Sequence, residues 1–195
     1  MGAACAGRAA LAVLLEAHVD AISAERIARL YPELARRWTQ IDAGLVASGI
    51  TVRVTQGLRT WAEQDALFAQ GRTTPGRIVT FARGGESWHN YGLALDFVPM
   101  VAGVPMWSIT HPWWAATIAA AQSWGLFSGS TWPDPKTDTP HLQITLPYDV
   151  DKPSADVQAL WRQGGESAVW LAMNQYRGIA TASAFPGAYV CNPNS

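Results

Sequence analysis

Two histidines and one aspartate have the residue types and the spacing of a metal site. His89 and Asp96 are seven residues apart around Gly92, and His141 follows 52 residues after His89. Asp96 lies in the apolar run 93–98, where an ionised carboxylate is costly to bury unless a cation or several donors compensate it. Catalytic zinc sites commonly use three His and carboxylate ligands and leave a fourth position for water. We therefore predict that His89, Asp96 and His141 bind one Zn²⁺ ion.

Asp138 extends this set into a hydrolytic site. Zinc lowers the pKa of bound water and polarises a carbonyl group, but amide hydrolysis also needs a base that moves a proton from water to the leaving amine. Asp138 lies three residues before His141 in a predicted loop and is the predicted general base. The simpler alternative is that His89 only hydrogen-bonds in a turn, because a lone His and Asp at this spacing is frequent by chance. His18 is interpreted as a packed helix residue, and His111 as a turn or cap residue.

Length and composition predict one domain that does not bind nucleic acid. The chain has 195 residues, a net charge of −1 and 15% charged residues, which is unlike the basic composition typical of nucleic-acid binding. We expect a catalytic domain at 1–150 and a helical extension at 151–195 that packs on the same domain. Most of the ten Trp residues are expected in the core and some in a groove. We expect a monomer.

The cysteines and the apolar segments bear on the compartment. Cys5 and Cys191 are too few for a disulfide framework, although they could pair if the chain termini meet. The apolar segment 9–15 is followed by Glu16 and no clear cleavage site, so we interpret it as a helix rather than an export signal. No stretch of the sequence approaches the roughly 20 apolar residues that span a bilayer. We therefore expect no stable membrane insertion.

The elements that must position these residues alternate between helical and extended patterns. Helices are predicted where caps and helical periodicity coincide: 9–22, 23–30, 32–47, 60–71, 112–124 and from 154 onward with a break at Gly164-Gly165. Strands are predicted where apolar residues alternate or run together between turn residues: 50–55, 77–80, 92–98 and 141–146. His141, Gln143 and Thr145 share one face of the last strand. The pattern predicts an α+β domain with a small, mostly antiparallel sheet flanked by helices.

Several motifs together resemble one family of zinc metallopeptidases. The run Ser87 to Asp96 has the pattern Ser-x-His-x-x-Gly-x-Ala-x-Asp, which is similar to that of VanY-type D-alanyl-D-alanine carboxypeptidases and phage L-alanyl-D-glutamate peptidases. Pro140-His141-Leu142-Gln143 resembles their second motif. The likeness covers roughly residues 24–146 and is closest to the phage endolysin peptidases. Further segments carry it: Gly57-Leu58-Arg59-Thr60, Glu63-Gln64, Gln70-Gly71-Arg72-Thr73 and Ala82-Arg83-Gly84-Gly85.

The resemblance implies a fold, a metal and roles for individual residues. The implied fold is the Hedgehog/DD-peptidase-like zinc peptidase fold. The implied cofactor is one catalytic Zn²⁺ ion held by His89, Asp96 and His141. Asp138 would be the general base in the same scheme.

Four further positions acquire roles from the resemblance. Arg59 would contact the substrate or the developing oxyanion, and a permanent cation just before a helix start is poorly placed for the helix dipole, which favours a role elsewhere. The alternative for Arg59 is a surface salt bridge. Ser87 would contact the substrate or orient the neighbouring histidine. Trp88 and Tyr91 would shape the substrate groove, with core packing as the alternative for each.

The resemblance predicts a peptidoglycan peptidase. The expected activity is hydrolysis of the L-alanyl-D-glutamate bond of stem peptides by a phage-type endolysin. Such a protein would be made in the host cytoplasm without a clear signal peptide and would act on the cell wall after release. One alternative is a D-alanyl-D-alanine carboxypeptidase or dipeptidase on the same scaffold. Another is a non-catalytic wall-binding module that a structural zinc ion stabilises.

Overall fold

A small sheet lies between helices in the computed structural model, which describes residues 19–145 and 152–176. The helices of these residues are α1 Ala21–Ile27, α2 Pro32–Ala47, α3 Trp61–Ala69, α4 Pro112–Ser123 and α5 Ala155–Tyr176. The strands are β1 Val52–Gln56, β2 Ala94–Val101, β3 Val104–Pro105, β4 Phe127–Ser128 and β5 His141–Gln143. Two short 3₁₀ turns lie at Trp88–Tyr91 and Gly129–Thr131. The predicted α+β class is confirmed.

The central strand of the sheet is β2. The strand order is β1-β2-β5-β4, β3 pairs with β2, and every pair is antiparallel. In this register Asp96 of β2 lies opposite His141 of β5. Two residues that are distant in the chain are thus brought side by side, because directly paired residues on antiparallel strands have close side chains.

Alternation along β2 separates the core from the site. Phe97 is fully buried, and its ring lies 6.0 Å from the ring of Trp38 in α2 and 5.0 Å from the ring of Trp114 in α4. Successive side chains of a strand point to opposite faces, so Asp96 points away from this aromatic core. The hydrophobic packing of one face therefore holds the polar face in place.

Local capping explains where the helices begin. Thr60 and Glu63 form the predicted capping box at the start of α3, and Pro32 occupies the first turn of α2. His111 caps α4 through its imidazole, as predicted. The predicted cap at Ser23 is wrong, because α1 begins earlier and Asp20 accepts hydrogen bonds from its first turn. The Ser23 hydroxyl is buried and accepts from Val54 N of β1 instead.

The predicted strand at 77–80 is also wrong. This segment has no regular secondary structure, and side chains rather than a neighbouring strand bind its backbone. Gln70 Nε2 donates to Arg77 O at 3.0 Å, and Arg72 Nη2 donates to Thr80 O at 3.0 Å. The apolar Ile78 and Val79 that suggested a strand are half exposed. We call residues 77–82 the strap.

Helix α5 packs on the domain through its apolar face. Val157, Val169 and Met173 are fully buried, and the helix breaks at Gly164 and Gly165, where a break was predicted. We propose on this basis that the part of the extension 151–195 that the structure describes, 152–176, belongs to the same domain as residues 19–145. No helix within 19–145 or 152–176 is long and apolar enough to cross a bilayer. Cys5, His18 and Cys191 lie outside the described residues. So does the predicted first helix at 9–22, apart from residues 19–22.

Helix α5 offers a matched pair of substitutions. Met173→Ala should lower the free energy of unfolding by about 2 to 5 kcal/mol, because it removes a fully buried side chain and leaves a cavity. Leu171→Ala, at a side chain 42% exposed on the same helix, should change it by less than about 0.5 kcal/mol. Denaturant unfolding measures both. Equal, small effects would show that α5 is not part of the cooperative unit.

Candidate active site

His89, Asp96 and His141 meet at one point on the polar face of the sheet. His89 Nε2 lies 3.2 Å from Asp96 Oδ1 and 3.2 Å from His141 Nδ1, and His141 Nδ1 lies 3.3 Å from Asp96 Oδ1. Both histidines are buried, and the Asp96 side chain is 20% exposed. Three ligating atoms therefore form a nearly equilateral triangle, which we call the triad.

The outer nitrogen of each imidazole has its own acceptor. His89 Nδ1 lies 2.8 Å from Gly57 O, and His141 Nε2 lies 2.8 Å from Gln143 Oε1. An imidazole that donates its outer N–H to an oxygen presents an unprotonated inner nitrogen when it is neutral. Each neutral ring therefore directs a lone pair at the centre of the triad.

This donor set fits a tetrahedral metal ion. Ligand atoms about 2.0 to 2.1 Å from a tetrahedral zinc ion are about 3.3 to 3.4 Å from one another. The triad has separations of 3.2 to 3.3 Å, and two histidine lone pairs with a carboxylate oxygen repel one another unless a cation lies between them. When these imidazoles are instead protonated, their charge and hydrogen bonds outweigh the effect of burial, which raises the pKa of Asp96, and hold this pKa well below its ordinary value.

Two local structures place these ligands. Ser87 caps the 3₁₀ turn Trp88–Tyr91 through its hydroxyl, which accepts from His89 N, and Gly92 ends the turn with a left-handed backbone at φ 65°. A residue other than glycine is strained at this φ. Strand β2 begins two residues later, so one compact turn connects the first ligand to the strand that carries the second.

Arg59 lies at the edge of the triad. Its Nη2 is 4.0 Å from Asp96 Oδ2, and its Nη1 donates to Gln64 Oε1 at 2.7 Å. Its side chain is only 13% exposed, and burial lowers its pKa while the charges of Asp96 and Asp138 raise it. Guanidinium stays protonated in proteins, so a partly buried cation faces the site. The surface salt bridge considered as an alternative would leave this side chain in solvent.

Asp138 is half-buried in the loop before β5. Its backbone N–H donates to Gly129 O at 3.0 Å, and its carbonyl accepts from His141 N at 3.2 Å. Burial raises the pKa of Asp138, and the charge of Asp96 raises it further, whereas His141 and Arg59 lower it. A carboxyl whose pKa is raised toward neutrality is a better proton acceptor and donor for catalysis.

A groove of 740 Å³ runs over the triad. Its lining includes residues 78–82 of the strap, residues of the loop 132–138, and Arg59, Ser87, Trp88, Trp107 and Lys152. Trp107 is 60% exposed and Phe81 is 51% exposed, so aromatic surface is available to a ligand.

Besides Arg59, the three other positions predicted to bind substrate have different surroundings. Ser87 and Trp88 line the groove, although the Trp88 side chain is 2% exposed. Tyr91 is fully buried, packs against the rings of Trp61 and Trp88, and donates to Gly85 O at 2.8 Å. Its side chain is 0% exposed and its hydroxyl holds a loop carbonyl, which agrees with the core-packing alternative for Tyr91.

Gln64 and Gln143 are polar residues to which the sequence motifs give no role. Both side chains are fully buried, and Gln64 donates to Thr80 Oγ1 at 3.2 Å and to Ala82 O at 2.9 Å while it accepts from Arg59. One side chain therefore connects Arg59 to the strap. The sequence indicated only that Gln64 is a glutamine on the inner face of a capped helix. The polar partners of Gln64 could not be recognised from the sequence.

Removal of these hydrogen bonds should be costly. Gln64→Leu keeps most of the volume but leaves Ala82 O and the Arg59 guanidinium without this partner, so the free energy of unfolding should fall by about 1 to 3 kcal/mol. Trypsin should also cleave the strap faster. Gln158→Leu, which removes one exposed bond to Arg162, is the control and should change neither. If Gln64→Leu keeps the wild-type free energy of unfolding and the wild-type rate of trypsin cleavage, the proposed connection between Arg59 and the strap is contradicted.

Comparison with known proteins identifies the family. Two family models described as D-alanyl-D-alanine carboxypeptidase match the chain, the VanY model over residues 27–110 and a second over residues 81–144. The peptidoglycan L-alanyl-D-glutamate endopeptidase CwlK of Bacillus subtilis (strain 168) is 38% identical over 123 residues, which are 59% of this chain and 73% of that protein. The crystal structure of the Serratia marcescens L-Ala D-Glu endopeptidase ChiX is similar at 29% identity and a TM-score of 0.47, covering 64% of this chain and 87% of that one. The chain belongs to the VanY-type family of metallopeptidases.

Proposed function

We propose that this protein is a zinc-dependent peptidoglycan endopeptidase that hydrolyses the L-alanyl-D-glutamate bond of stem peptides. The observation that carries the proposal is the triad, whose three ligating atoms have the spacing of a tetrahedral zinc site beside a half-buried carboxyl. The bond is proposed from CwlK, whose name states this activity. His89, Asp96 and His141 are the proposed metal ligands.

The metal contributes chemistry that the side chains do not. When bound, zinc acts as a Lewis acid that polarises the scissile carbonyl and makes water a nucleophile near neutral pH. Gly57 O and Gln143 Oε1 hold the two imidazoles in the tautomers that ligate. In this scheme the protein supplies a fixed donor set before any substrate arrives.

Asp138 and Arg59 are proposed to act on the substrate. The Asp138 carboxylate accepts a proton from the attacking water and returns it to the leaving amine, so the two proton transfers balance within one turnover. The Arg59 guanidinium faces the oxyanion that develops on the carbonyl oxygen. Gln64 holds Arg59 at this position through the bond of 2.7 Å.

The groove can hold a longer peptide than the D-alanyl-D-alanine carboxypeptidase alternative requires. Its volume of 740 Å³ falls in the range of about 300 to 1,000 Å³ that accommodates drug-sized ligands, whereas a terminal dipeptide is much smaller. A carboxypeptidase would also need a group that caps a free terminal carboxylate, and the cations Arg59, Lys136 and Lys152 line the groove. The choice of the endopeptidase therefore rests on CwlK.

The triad also disfavours a purely structural zinc. Structural zinc sites are closed by four protein ligands, whereas the cluster among the described residues provides three. A wall-binding module would have no use for Asp138 or for a partly buried Arg59 beside the metal. The open fourth position is the one that a catalytic site needs for water.

The place of action follows from the substrate. We propose that the protein acts on the bacterial cell wall, because peptidoglycan is found there. A narrower proposal is that the protein is a phage-type endolysin that is released from a host cytoplasm. This narrower proposal rests on the sequence motifs alone.

Replacement of the proposed base should separate metal binding from turnover. Asp138→Asn keeps the size of the side chain and the backbone hydrogen bonds of the loop, so it should retain one zinc per chain while kcat/KM falls by about 10²- to 10⁴-fold. Asp134→Asn, in the same loop and exposed, is the control and should keep wild-type turnover. Retained turnover in Asp138→Asn would remove Asp138 from the mechanism.

The bond cleaved can be identified directly. Purified peptidoglycan treated with the protein should release fragments with new L-alanine C-termini and D-glutamate N-termini, detected by mass spectrometry. A chelator should abolish these products, and added zinc should restore them. Loss of terminal D-alanine alone would establish the carboxypeptidase alternative, and the absence of any zinc-dependent product would favour the binding module.

A further inference from the structure

The role of helix α5 is not given by the family. The two family models end at residues 110 and 144, before the helix begins at Ala155. Its apolar residues are buried, which would suffice for a structural cover. One of its tryptophans, Trp170, nevertheless contacts the segment 85–92, which carries His89, and a second, Trp161, reaches that segment through Trp61.

The first contact is at the end of the 3₁₀ turn. Trp170 Nε1 donates to Tyr91 O at 2.7 Å, and its ring lies 3.1 Å from the position that a Cβ on Gly92 would occupy. Gly92 N in turn donates to His89 O at 3.3 Å, and Arg59 N donates to the same carbonyl at 3.0 Å. The end of the turn that Trp170 holds is therefore bonded to a proposed metal ligand.

The second contact is at the start of the same segment. Trp161 stacks on Trp61 with ring centroids 4.4 Å apart and planes inclined by 20°. The Trp61 ring also packs so closely on Gly85 that a Cβ there would lie 2.9 Å from it. Gly85 N donates to Asn90 Oδ1 at 2.9 Å, within the 3₁₀ turn. Helix α5 therefore supports the segment at both of its ends.

We propose that α5 is a brace that fixes the position of His89, with Trp170 as its principal positioning residue. A four-residue 3₁₀ turn has weak hydrogen-bond geometry of its own, so its position depends on what holds it. Gly57 O accepts from the His89 ring on one side, and Trp170 fixes the backbone on the other. This inference rests on the proposed metal site, because it concerns the spacing of the triad.

The brace predicts a change in metal binding that a simple loss of stability would not produce. Trp170→Phe keeps an aromatic ring but removes the N–H donor to Tyr91 O. In the full-length protein, its zinc dissociation constant from competition with a chelator should rise about fivefold, the fold-change expected for one neutral hydrogen bond. The visible absorption of the Co²⁺-substituted protein should also shift, because His89 is displaced relative to the other two ligands.

Two variants of the same helix serve as controls. Met173→Ala lowers stability but leaves both contacts with the segment in place, and exposed Leu171→Ala should alter neither stability nor metal binding. At a temperature where every variant is folded, both controls should bind zinc with wild-type affinity and give the wild-type Co²⁺ spectrum.

The outcomes are distinguishable from those for the proposed function. A wild-type protein that binds no zinc would refute the metal site itself. Wild-type binding of one zinc per chain, with Trp170→Phe indistinguishable from Met173→Ala in zinc affinity and Co²⁺ spectrum, would overturn the brace alone and leave α5 as a structural cover.

Discussion

Two imidazole nitrogens and a carboxylate oxygen face one another across 3.2 to 3.3 Å at the base of the groove. Each imidazole already donates its outer proton to an oxygen, so in the neutral state the inner atoms all carry lone pairs. Lone pairs held at this distance repel unless a cation is placed among them. The free energy that keeps these three side chains together must therefore come from the surrounding fold, and a bound cation would offset the repulsion.

The scaffold supplies that constraint through a few rigid connections. The antiparallel register places Asp96 opposite His141, and the aromatic core around Phe97 fixes the strand that carries Asp96. The 3₁₀ turn brings His89 to the same point. Pre-organised ligands lose little freedom when they bind a metal, because folding has already ordered them. In this account the helices around the sheet determine metal affinity as well as stability.

The sequence was sufficient for the class of the fold and for several element boundaries. Residue types with strong local preferences were predicted well: the capping box at Thr60 and Glu63, the cap at His111 and the break at Gly164 each depend on the residues beside them. The shared face of His141 and Gln143 followed from strand alternation. These features are local, so the sequence contains the whole signal.

Features that depend on distant parts of the chain were not predictable in the same way. The apolar residues of the strap suggested a strand, but Gln64 and Arg72 bind its backbone where a strand neighbour would be needed. Tyr91 is placed in the core by its contacts with other aromatic rings and with Gly85 O. The support of the His89 segment by α5 joins residues about 80 positions apart, and no local pattern indicates such a contact.

A crystal structure of the zinc-loaded protein with anomalous data at the zinc edge would show whether the triad is a preformed zinc site. A preformed site requires one strong anomalous peak per chain, about 2.0 to 2.2 Å from His89 Nε2, Asp96 Oδ1 and His141 Nδ1, with the His89 and His141 rings still bonded to Gly57 O and Gln143. A peak elsewhere, or no peak with the three side chains turned away from one another, would contradict it.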